Sequence, residues 1–141
     1  MKALLSVYNK DNIEHIGRSL SEAGYEIIST GGTYRSLGKA GISVQQISEL
    51  TGFPEILDGR VKTLHPKVHG GILARRDIDK HQAEMKSNDI SSIDVVVVNL
   101  YPFVDTVRQE EVSLNDALQN IDNGGPKMIR SAAKNFPHVL V

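Results

Sequence analysis

The segment Ile93-Asp94-Val95-Val96-Val97-Val98 contains the strongest structural signal in the chain. Its four consecutive valines are β-branched, and β-branched side chains favour extended backbone. They would also make both faces of a strand apolar. A strand that is apolar on both faces is typical of the centre of a parallel sheet covered by helices. The segment therefore predicts a sheet of the α/β class.

On both sides of this segment, short apolar runs alternate with amphipathic stretches. That alternation indicates parallel strands joined by helical crossovers, in a mostly parallel central sheet flanked by helices. Further strands are predicted at 3–7, 25–29, 44–47 and 138–141. Helices are predicted from a cap at Asp11 to a stop at Gly24, at 33–40, at 81–87, from a Ser113 and Asp116 capping box to Leu118, and from Pro126 to Asn135.

Length and composition exclude several classes of protein. The 141 residues are enough for one domain, and the absence of cysteine excludes a disulfide framework and a thiol nucleophile. With 16 basic and 17 acidic residues and 5% aromatics, we expect no nucleic-acid surface. The N-terminal apolar run is too short for a signal peptide and no stretch approaches a membrane span, so we expect a cytoplasmic protein without a membrane partner.

Polar clusters follow three of the predicted strands. They are Ser6 to Lys10, Ser29 to Thr33 and Asn99 to Pro102. In open α/β sheets, ligands bind beyond the carboxyl ends of the strands. We therefore expect these three clusters to lie at one edge of the sheet and to form a binding site.

The cluster Ser29-Thr30-Gly31-Gly32-Thr33 has the composition of a phosphate-binding turn. Two glycines let backbone N–H groups curl around an anion at a helix N-terminus, and hydroxyls add further donors. The pattern is neither a Walker A loop nor a dinucleotide fingerprint, which favours a single phosphate. An ordinary strand-to-helix turn capped by Thr33 is the alternative, and Lys10 at the neighbouring strand end favours phosphate binding.

The segment from Gly59 to Gly71 gathers cations and imidazoles between glycines. In an extended segment, Arg60 and Lys62 would share a face and meet one anionic or carbonyl-rich ligand, and Pro66 can begin a helix. The alternative is a solvated basic loop. His65 and His69 have the i, i+4 spacing of a zinc pair, but no third ligand is apparent, so we predict no metal site.

A carboxylate precedes a double glycine near the end of the chain. Asp122 stands before Gly124-Gly125, and Arg130 and Lys134 follow on the next predicted helix. Asp122 can orient an amide or pair with a lysine. It can also be only a turn-former, with the two cations favouring the last turns of the helix.

The chain carries six segments in a fixed order: Leu5-Ser6-Val7, Ser29-Thr30-Gly31-Gly32-Thr33, Thr51-Gly52-Phe53-Pro54-Glu55, Gly59-Arg60-Val61-Lys62-Thr63-Leu64-His65-Pro66, Asn99-Leu100-Tyr101-Pro102-Phe103 and Ser131-Ala132-Ala133-Lys134-Asn135. Together they resemble the inosine monophosphate cyclohydrolase domain of bifunctional purine biosynthesis proteins, from end to end. Tyr8 and Asn123 depart from the family pattern. The resemblance implies a methylglyoxal-synthase-like α/β domain.

The implied reaction closes the six-membered purine ring of a formamido imidazole carboxamide ribonucleotide to give inosine monophosphate, with no cofactor and no metal. By this resemblance, Lys62 stabilises charge on the formyl oxygen, Tyr101 relays a proton, Asp122 fixes or deprotonates the carboxamide, and Lys134 keeps Asp122 ionised. His65 is a proton shuttle or a structural imidazole. The implied binding residues are Ser6, Lys10, Ser29, Thr30, Gly31, Gly32, Thr33, Arg60, Thr63, Leu64, His65, Asn99, Gly124 and Gly125.

Family members usually continue into a second domain that transfers a formyl group, and we expect residues 1–141 to be a single domain, truncated at its C-terminal end, without that part. A homodimer or a partner formyltransferase domain or chain is then expected. Two alternatives stay open. One is a nucleotide-binding regulatory module without catalysis. The other is methylglyoxal synthase itself, which the carboxylate-poor loops disfavour because that enzyme needs catalytic aspartates.

Overall fold

Four parallel strands form one sheet in the computed structural model, which describes residues 1–141. The strands are β1 Lys2–Ser6, β2 Glu26–Ser29, β3 Val44–Gln46 and β4 Val95–Val98, in the order β3-β2-β1-β4. β1 pairs with β2 and with β4, so Leu4 lies between Ile28 and Val96 at the centre of the sheet. The expected parallel α/β sheet is confirmed, with β4 beside β1.

Eight helices connect and flank the strands. They are α1 Ile13–Glu22, α2 Gly31–Lys39, α3 Ile47–Thr51, α4 Pro66–Leu73, α5 Asp79–Ser87, α6 Phe103–Val107, α7 Leu114–Gln119 and α8 Gly124–Lys134. None of them combines the length and the apolar character that crossing a membrane requires.

The core has two parts, one on each face of the sheet, because side chains alternate along β1. Ala3 and Leu5 pack with Ile13 of α1 and Leu37 of α2. On the opposite face, residues of the strands, of α3, α4 and α8 and of the adjoining loops form the second part: Leu4, Ile28, Ile47, Val68, Ile72, Ile93, Val96, Met128, Ala132 and Val139. Each large apolar side chain buried in this way contributes about 1.5–3 kcal/mol. The two layers of helices leave the carboxyl ends of the strands open for a site.

Two local signals in the sequence are confirmed. Ser113 and Asp116 form a reciprocal capping box at the start of α7. Pro66 is the first residue of α4, where its missing N–H and fixed φ suit the first helical turn.

Other boundaries differ from the prediction. The cap of α1 is Asn12, in the left-handed region with φ 61°, and not Asp11. Helix α2 begins at Gly31, two residues before Thr33, and α8 begins at Gly124, two residues before Pro126. In both helices, the glycines that were expected to form a turn lie in the first helical turn.

Two short helices were not predicted, and one predicted strand does not form. Helices α3 and α6 have five residues each and were not expected, and Ile47 begins α3 where the strand was expected to end. The predicted strand at 138–141 is a single parallel bridge between Val95 and Leu140. The Leu140 N–H donates to the Asp94 carbonyl at 2.9 Å, and the Val96 N–H donates to the Leu140 carbonyl at 2.8 Å.

Candidate active site

A cavity of about 580 Å³ opens at the carboxyl ends of β1, β2 and β4. This is the edge at which polar clusters were expected to meet. Thirteen residues that the sequence analysis named as site residues line it: Ser6, Lys10, Thr30, Gly32, Thr33, Arg60, Lys62, Thr63, Asn99, Tyr101, Asp122, Gly124 and Gly125. The volume is in the range of pockets that hold a small ligand.

One end of the cavity is the N-terminus of α2. The N–H groups of its first residues have no partner inside the helix, and they carry the positive end of the helix dipole. A β-carbon on Gly32 would lie 3.4 Å from the Lys10 Nζ, and one on Gly31 would lie 3.7 Å from the Lys62 Nζ. Two ammonium groups therefore flank the helix N-terminus. This arrangement suits a phosphate group.

The hydroxyl groups of this end hold strands together and do not all face the cavity. Ser29 is fully buried, donates to the Leu5 carbonyl at 2.7 Å and does not line the cavity. The Thr33 Oγ1 accepts from the Val7 N–H and donates to the Val7 carbonyl, both at 3.0 Å. The buried Ser29 hydroxyl is therefore not positioned to contact a ligand in the cavity. In this turn, the backbone N–H groups at the start of α2 are the donors available to an anion.

Asn99 orders the loop that follows β1. Its Oδ1 accepts from the N–H groups of Tyr8 at 2.6 Å and Asn9 at 3.1 Å, and its Nδ2 donates to the Asn9 carbonyl at 2.7 Å. These three hydrogen bonds use most of the amide, so its main contribution is to fix the loop that carries Tyr8 and Lys10. Asn99 also lines the cavity, and one N–H of its Nδ2 has no partner within the fold.

The opposite end of the cavity is the N-terminus of α8. The Asp122 Oδ1 accepts a hydrogen bond from the Gly125 N–H at 2.9 Å. A β-carbon on Gly124 would lie 2.8 Å from the Thr63 Oγ1. Glycine at this position therefore lets the first turn of α8 approach the loop that contains Lys62 and Thr63. The hydrogen bond from the Gly125 N–H holds the Asp122 carboxylate in the cavity wall.

Tyr101 stands between the two ends of the cavity. Its ring makes an edge-to-face contact with Tyr8, with 5.4 Å between ring centroids. Burial raises the pKa of the Tyr101 hydroxyl, and the negative charges of Asp122 and Glu55 raise it further. The phenol is therefore protonated at neutral pH, and it can donate a hydrogen bond or a proton to a ligand.

Glu55 is a carboxylate near the cavity, and it was not among the expected site residues. Its Oε2 and the Lys62 Nζ lie 3.6 and 3.5 Å from the point that a β-carbon on Gly59 would occupy. The Glu55 Oε1 is buried and has no hydrogen-bond partner. The Glu55 carboxylate and the Lys62 ammonium thus both lie beside Gly59 without forming an ion pair, and one carboxylate oxygen is unused. The sequence offered only the position of Glu55 in a segment shared with the resembling family.

Other parts of the wall were also missed. Helix α7 contributes Asn115, Leu118 and Gln119. A short hairpin, closed by an antiparallel bridge between Ile56 and Val61, contributes Asp58. The capping box predicted α7, but no local signal indicated that this helix would lie over the strand ends. Tyr8 and Asn123, the two departures from the family pattern, both line the cavity.

Besides Ser29, three expected site residues lie away from the cavity. Leu64 and His65 face a separate cleft between α4 and α8, where the His65 Nδ1 accepts from the Lys67 N–H at 3.1 Å. Lys134 is exposed at the last residue of α8 and makes no ion pair. Asp122 precedes the first residue of the same helix, and 11 helical residues span about 16 Å. The expected pair between Asp122 and Lys134 does not form.

No three His, Cys, Asp or Glu side chains are grouped where they would hold a metal ion. His65 and His69 lie on one side of α4, but the other polar residues lining that cleft are Lys127, Arg130 and Ser131. A lysine and an arginine there disfavour a cation. The donor set of this region suits an anion.

The fold and the sequence place the chain in a known class. Residues 12–127 match the model of the MGS-like domain family, so the chain belongs to this family. A solved structure, the crystal structure of ForH, superposes with a TM-score of 0.88 at 42% sequence identity, covering 99% of this chain and 69% of that chain.

Among curated proteins, the chain is similar to the bifunctional purine biosynthesis protein PurH. It is 55% identical over 140 residues to PurH of Thermoanaerobacter sp. (strain X514), covering 99% of this chain and 28% of that protein. It is 55% identical over 141 residues to purH of Dictyostelium discoideum, covering 100% of this chain and 26% of that protein. The chain thus spans little more than a quarter of the length of these relatives.

Proposed function

We propose that the chain acts in purine biosynthesis as an inosine monophosphate cyclohydrolase domain. The observation that carries the proposal is a single cavity with a candidate phosphate cradle, formed by the α2 N-terminus and Lys10, and with Lys62, Tyr101 and Asp122 in its walls. The name of the PurH relatives supports the pathway. The proposed substrate is 5-formamido-1-(5-phosphoribosyl)imidazole-4-carboxamide.

The reaction is intramolecular, which decides what the protein must supply. The carboxamide nitrogen attacks the formyl carbon, a C–N bond forms, and the formyl oxygen gains a proton. The resulting hydroxyl then leaves as water, with a proton from nitrogen, to give the C=N bond of inosine monophosphate. Holding the two groups at near-attack distance removes much of the barrier. The remaining requirements are charge stabilisation and proton transfer.

Each requirement has a candidate group in the cavity. Tyr101, held protonated by burial and nearby negative charge, donates a proton to the departing hydroxyl. Asp122, fixed by the Gly125 N–H, accepts a proton from the carboxamide nitrogen. Lys62 stabilises the charge that develops on the formyl oxygen. Lys134 makes no pair with Asp122 and has no role in this proposal.

Lys62 has a second candidate role, because its ammonium lies next to Gly31 at the phosphate end. A lysine that only binds phosphate contributes equally to ground state and transition state, so its loss raises KM. A lysine that stabilises the formyl oxyanion acts mainly in the transition state, so its loss lowers kcat. The two roles are therefore separable by steady-state kinetics.

The relatives are named bifunctional and are several times longer than this chain. We propose that the part that the chain does not match carries the second function, a formyltransferase activity. A formyltransferase domain or chain, or a second copy of this chain, is the proposed partner.

The direct test is to incubate the purified chain with the formamido ribonucleotide and to measure inosine monophosphate by chromatography. We expect product to form faster than in buffer and faster than with the Lys62→Ala variant. Calorimetry with inosine monophosphate runs beside the assay. Tight nucleotide binding without turnover would overturn the cyclohydrolase proposal and favour a nucleotide-binding regulatory module.

A further inference from the structure

A second cavity, of about 550 Å³, lies between α4 and α8 on the other side of the loop at 63–65. We call it the α4/α8 cleft. Its seven lining residues are Leu64, His65, Pro66, His69, Lys127, Arg130 and Ser131. Every charged residue among them is basic, although the chain has 17 acidic and 16 basic residues. The cleft therefore gathers positive charge locally.

The two cations of the α4/α8 cleft have no carboxylate partner. The only side-chain hydrogen bond of Lys127 is to the Asn123 Oδ1, at 3.3 Å, and Arg130 takes part in none. On neighbouring segments, by contrast, Lys67 pairs with Asp89 at 2.7 Å and Arg76 pairs with Asp94 at 2.6 Å. A guanidinium and an ammonium are thus free to meet a ligand.

The imidazoles and the hydroxyl add donors. The His65 Nδ1 accepts from the Lys67 N–H, so in the neutral ring the proton is on Nε2, which is then a donor. The His69 Nδ1 lies 3.2 Å from the Ser131 Oγ, and the His69 Nε2 is buried without a partner. Burial, with the nearby Lys127 charge, lowers the pKa of His69. An anion between these groups would neutralise the positive charge of Lys127 and Arg130 and would accept hydrogen bonds from the unused donors.

We propose that the α4/α8 cleft binds a small oxyanion, a phosphate or a carboxylate, as a second anion site separate from the phosphate cradle of α2. Arg130 is the main ligand, because its planar fork can bind two oxygens of one anion. Lys127 and His65 supply the other donors. The inference does not depend on the cyclohydrolase activity.

The two sites share structural elements. The turn at 122–125, at the start of α8, lines the nucleotide cavity, and residues 127–131 of the same helix line the cleft. The loop from Lys62 to His65 likewise contributes to both. An anion in the cleft therefore contacts the helix that holds Asp122.

The test is an NMR titration of the whole chain with inorganic phosphate at fixed pH and constant ionic strength. The side-chain resonances of His65 and His69 report on the cleft, and the Gly32 amide reports on the α2 cradle. The exposed His15 is an internal control. A parallel titration with succinate shows whether the site takes carboxylates as well as phosphate.

We expect a saturable shift of the His65 and His69 resonances with phosphate, succinate or both. Arg130→Gln should weaken this binding by about 10-fold, as expected for the loss of a charged hydrogen bond. Lys86→Gln removes the same charge from an exposed position on α5 and should have no effect. Shifts that never saturate, or that are equal in the two variants, would overturn the proposal. A shift confined to Gly32 would overturn it too.

Discussion

Asp122 and Gly125 lie so close together that position 125 accommodates only glycine. The Gly125 N–H donates to the Asp122 Oδ1 at 2.9 Å. A β-carbon on Gly125 would lie 2.7 Å from the Asp122 Oδ2, closer than real contacts of this kind. The Asp122 carboxylate is thus held at the α8 N-terminus by a hydrogen bond that can form because residue 125 has no side chain.

We therefore expect Gly125→Ala to displace Asp122 and to lower the free energy of unfolding by about 1–3 kcal/mol, the usual cost of overpacking. Gly38→Ala is the matched control, because it lies within α2 and a β-carbon there would meet nothing within 4 Å. That control should stabilise the chain by about 0.5–1 kcal/mol. Urea denaturation measures both, and a Gly125→Ala variant as stable as wild type would contradict the assigned contact.

The α2 cradle predicts that affinity depends on the phosphate. We expect inosine monophosphate to bind at least about 100-fold more tightly than inosine, since two or more charged hydrogen bonds are lost with the phosphate. Calorimetry with the two ligands measures the difference. Equal affinities would refute the cradle.

A pair of lysines near α2 provides the variant test of the cradle. Lys10→Gln removes the ammonium beside Gly32, whereas Lys39→Gln removes one from the last turn of the same helix. Lys10→Gln should weaken the binding of inosine monophosphate but not the binding of inosine. Lys39→Gln should change neither affinity.

The parts of the fold with strong local signals could be predicted from the sequence. The valines of β4 and the capping box of α7 are specified by neighbouring residues, and both were confirmed. Helices α3 and α6, with five residues each, are too short to show a period. The strand predicted at 138–141 does not form, because only Leu140 pairs with β4, in a single bridge.

The site was predictable where the strand-end rule applies, as for Lys10, Thr30 and Tyr101. Glu55 was not, because its approach to Lys62 depends on a hairpin in which Leu57 and Asp58 adopt positive φ values of 55°. Such values are uncommon outside glycine, and no residue pattern signals them here. The direct pair of Asp122 with Lys134 could have been excluded from the sequence, since the rise of a helix separates its two ends by a calculable distance.

Lys62→Ala should lower the rate of ring closure by about 10²- to 10³-fold, the usual loss for one charge-stabilising donor. The loss should fall mainly on kcat if Lys62 acts on the formyl oxygen. Steady-state kinetics with the formamido ribonucleotide measures it. A rise in KM alone would move Lys62 to the phosphate site, and turnover within a few-fold of wild type would assign it to a solvated basic face.

The control for this experiment is Lys86→Ala, a change of the same kind at an exposed position of α5. We expect wild-type kinetics from it. Melting temperatures of both variants should match wild type, because the Lys62 side chain makes no hydrogen bond or ion pair within the fold and lines a cavity. A large drop in melting temperature for Lys62→Ala alone would indicate a structural role.

His69 makes stability depend on pH. Burial and the nearby Lys127 lower its pKa in the folded chain below the ordinary value of 6.5. The unfolded chain therefore binds the proton more readily. The contribution of His69 to stability is present above pH 6.5 and is lost as the pH falls from there towards the lower folded-state pKa. We expect the free energy of unfolding, measured by urea denaturation, to decrease over that range.

His69→Gln should remove part of this decrease, because glutamine does not titrate and keeps a polar group near Ser131. His15→Gln, at an exposed position of α1, should leave the pH profile unchanged. Phosphate in the α4/α8 cleft should oppose the decrease, since a nearby anion favours the protonated imidazole. If wild type and His69→Gln lose stability in parallel as the pH falls, the buried imidazole does not cause the dependence.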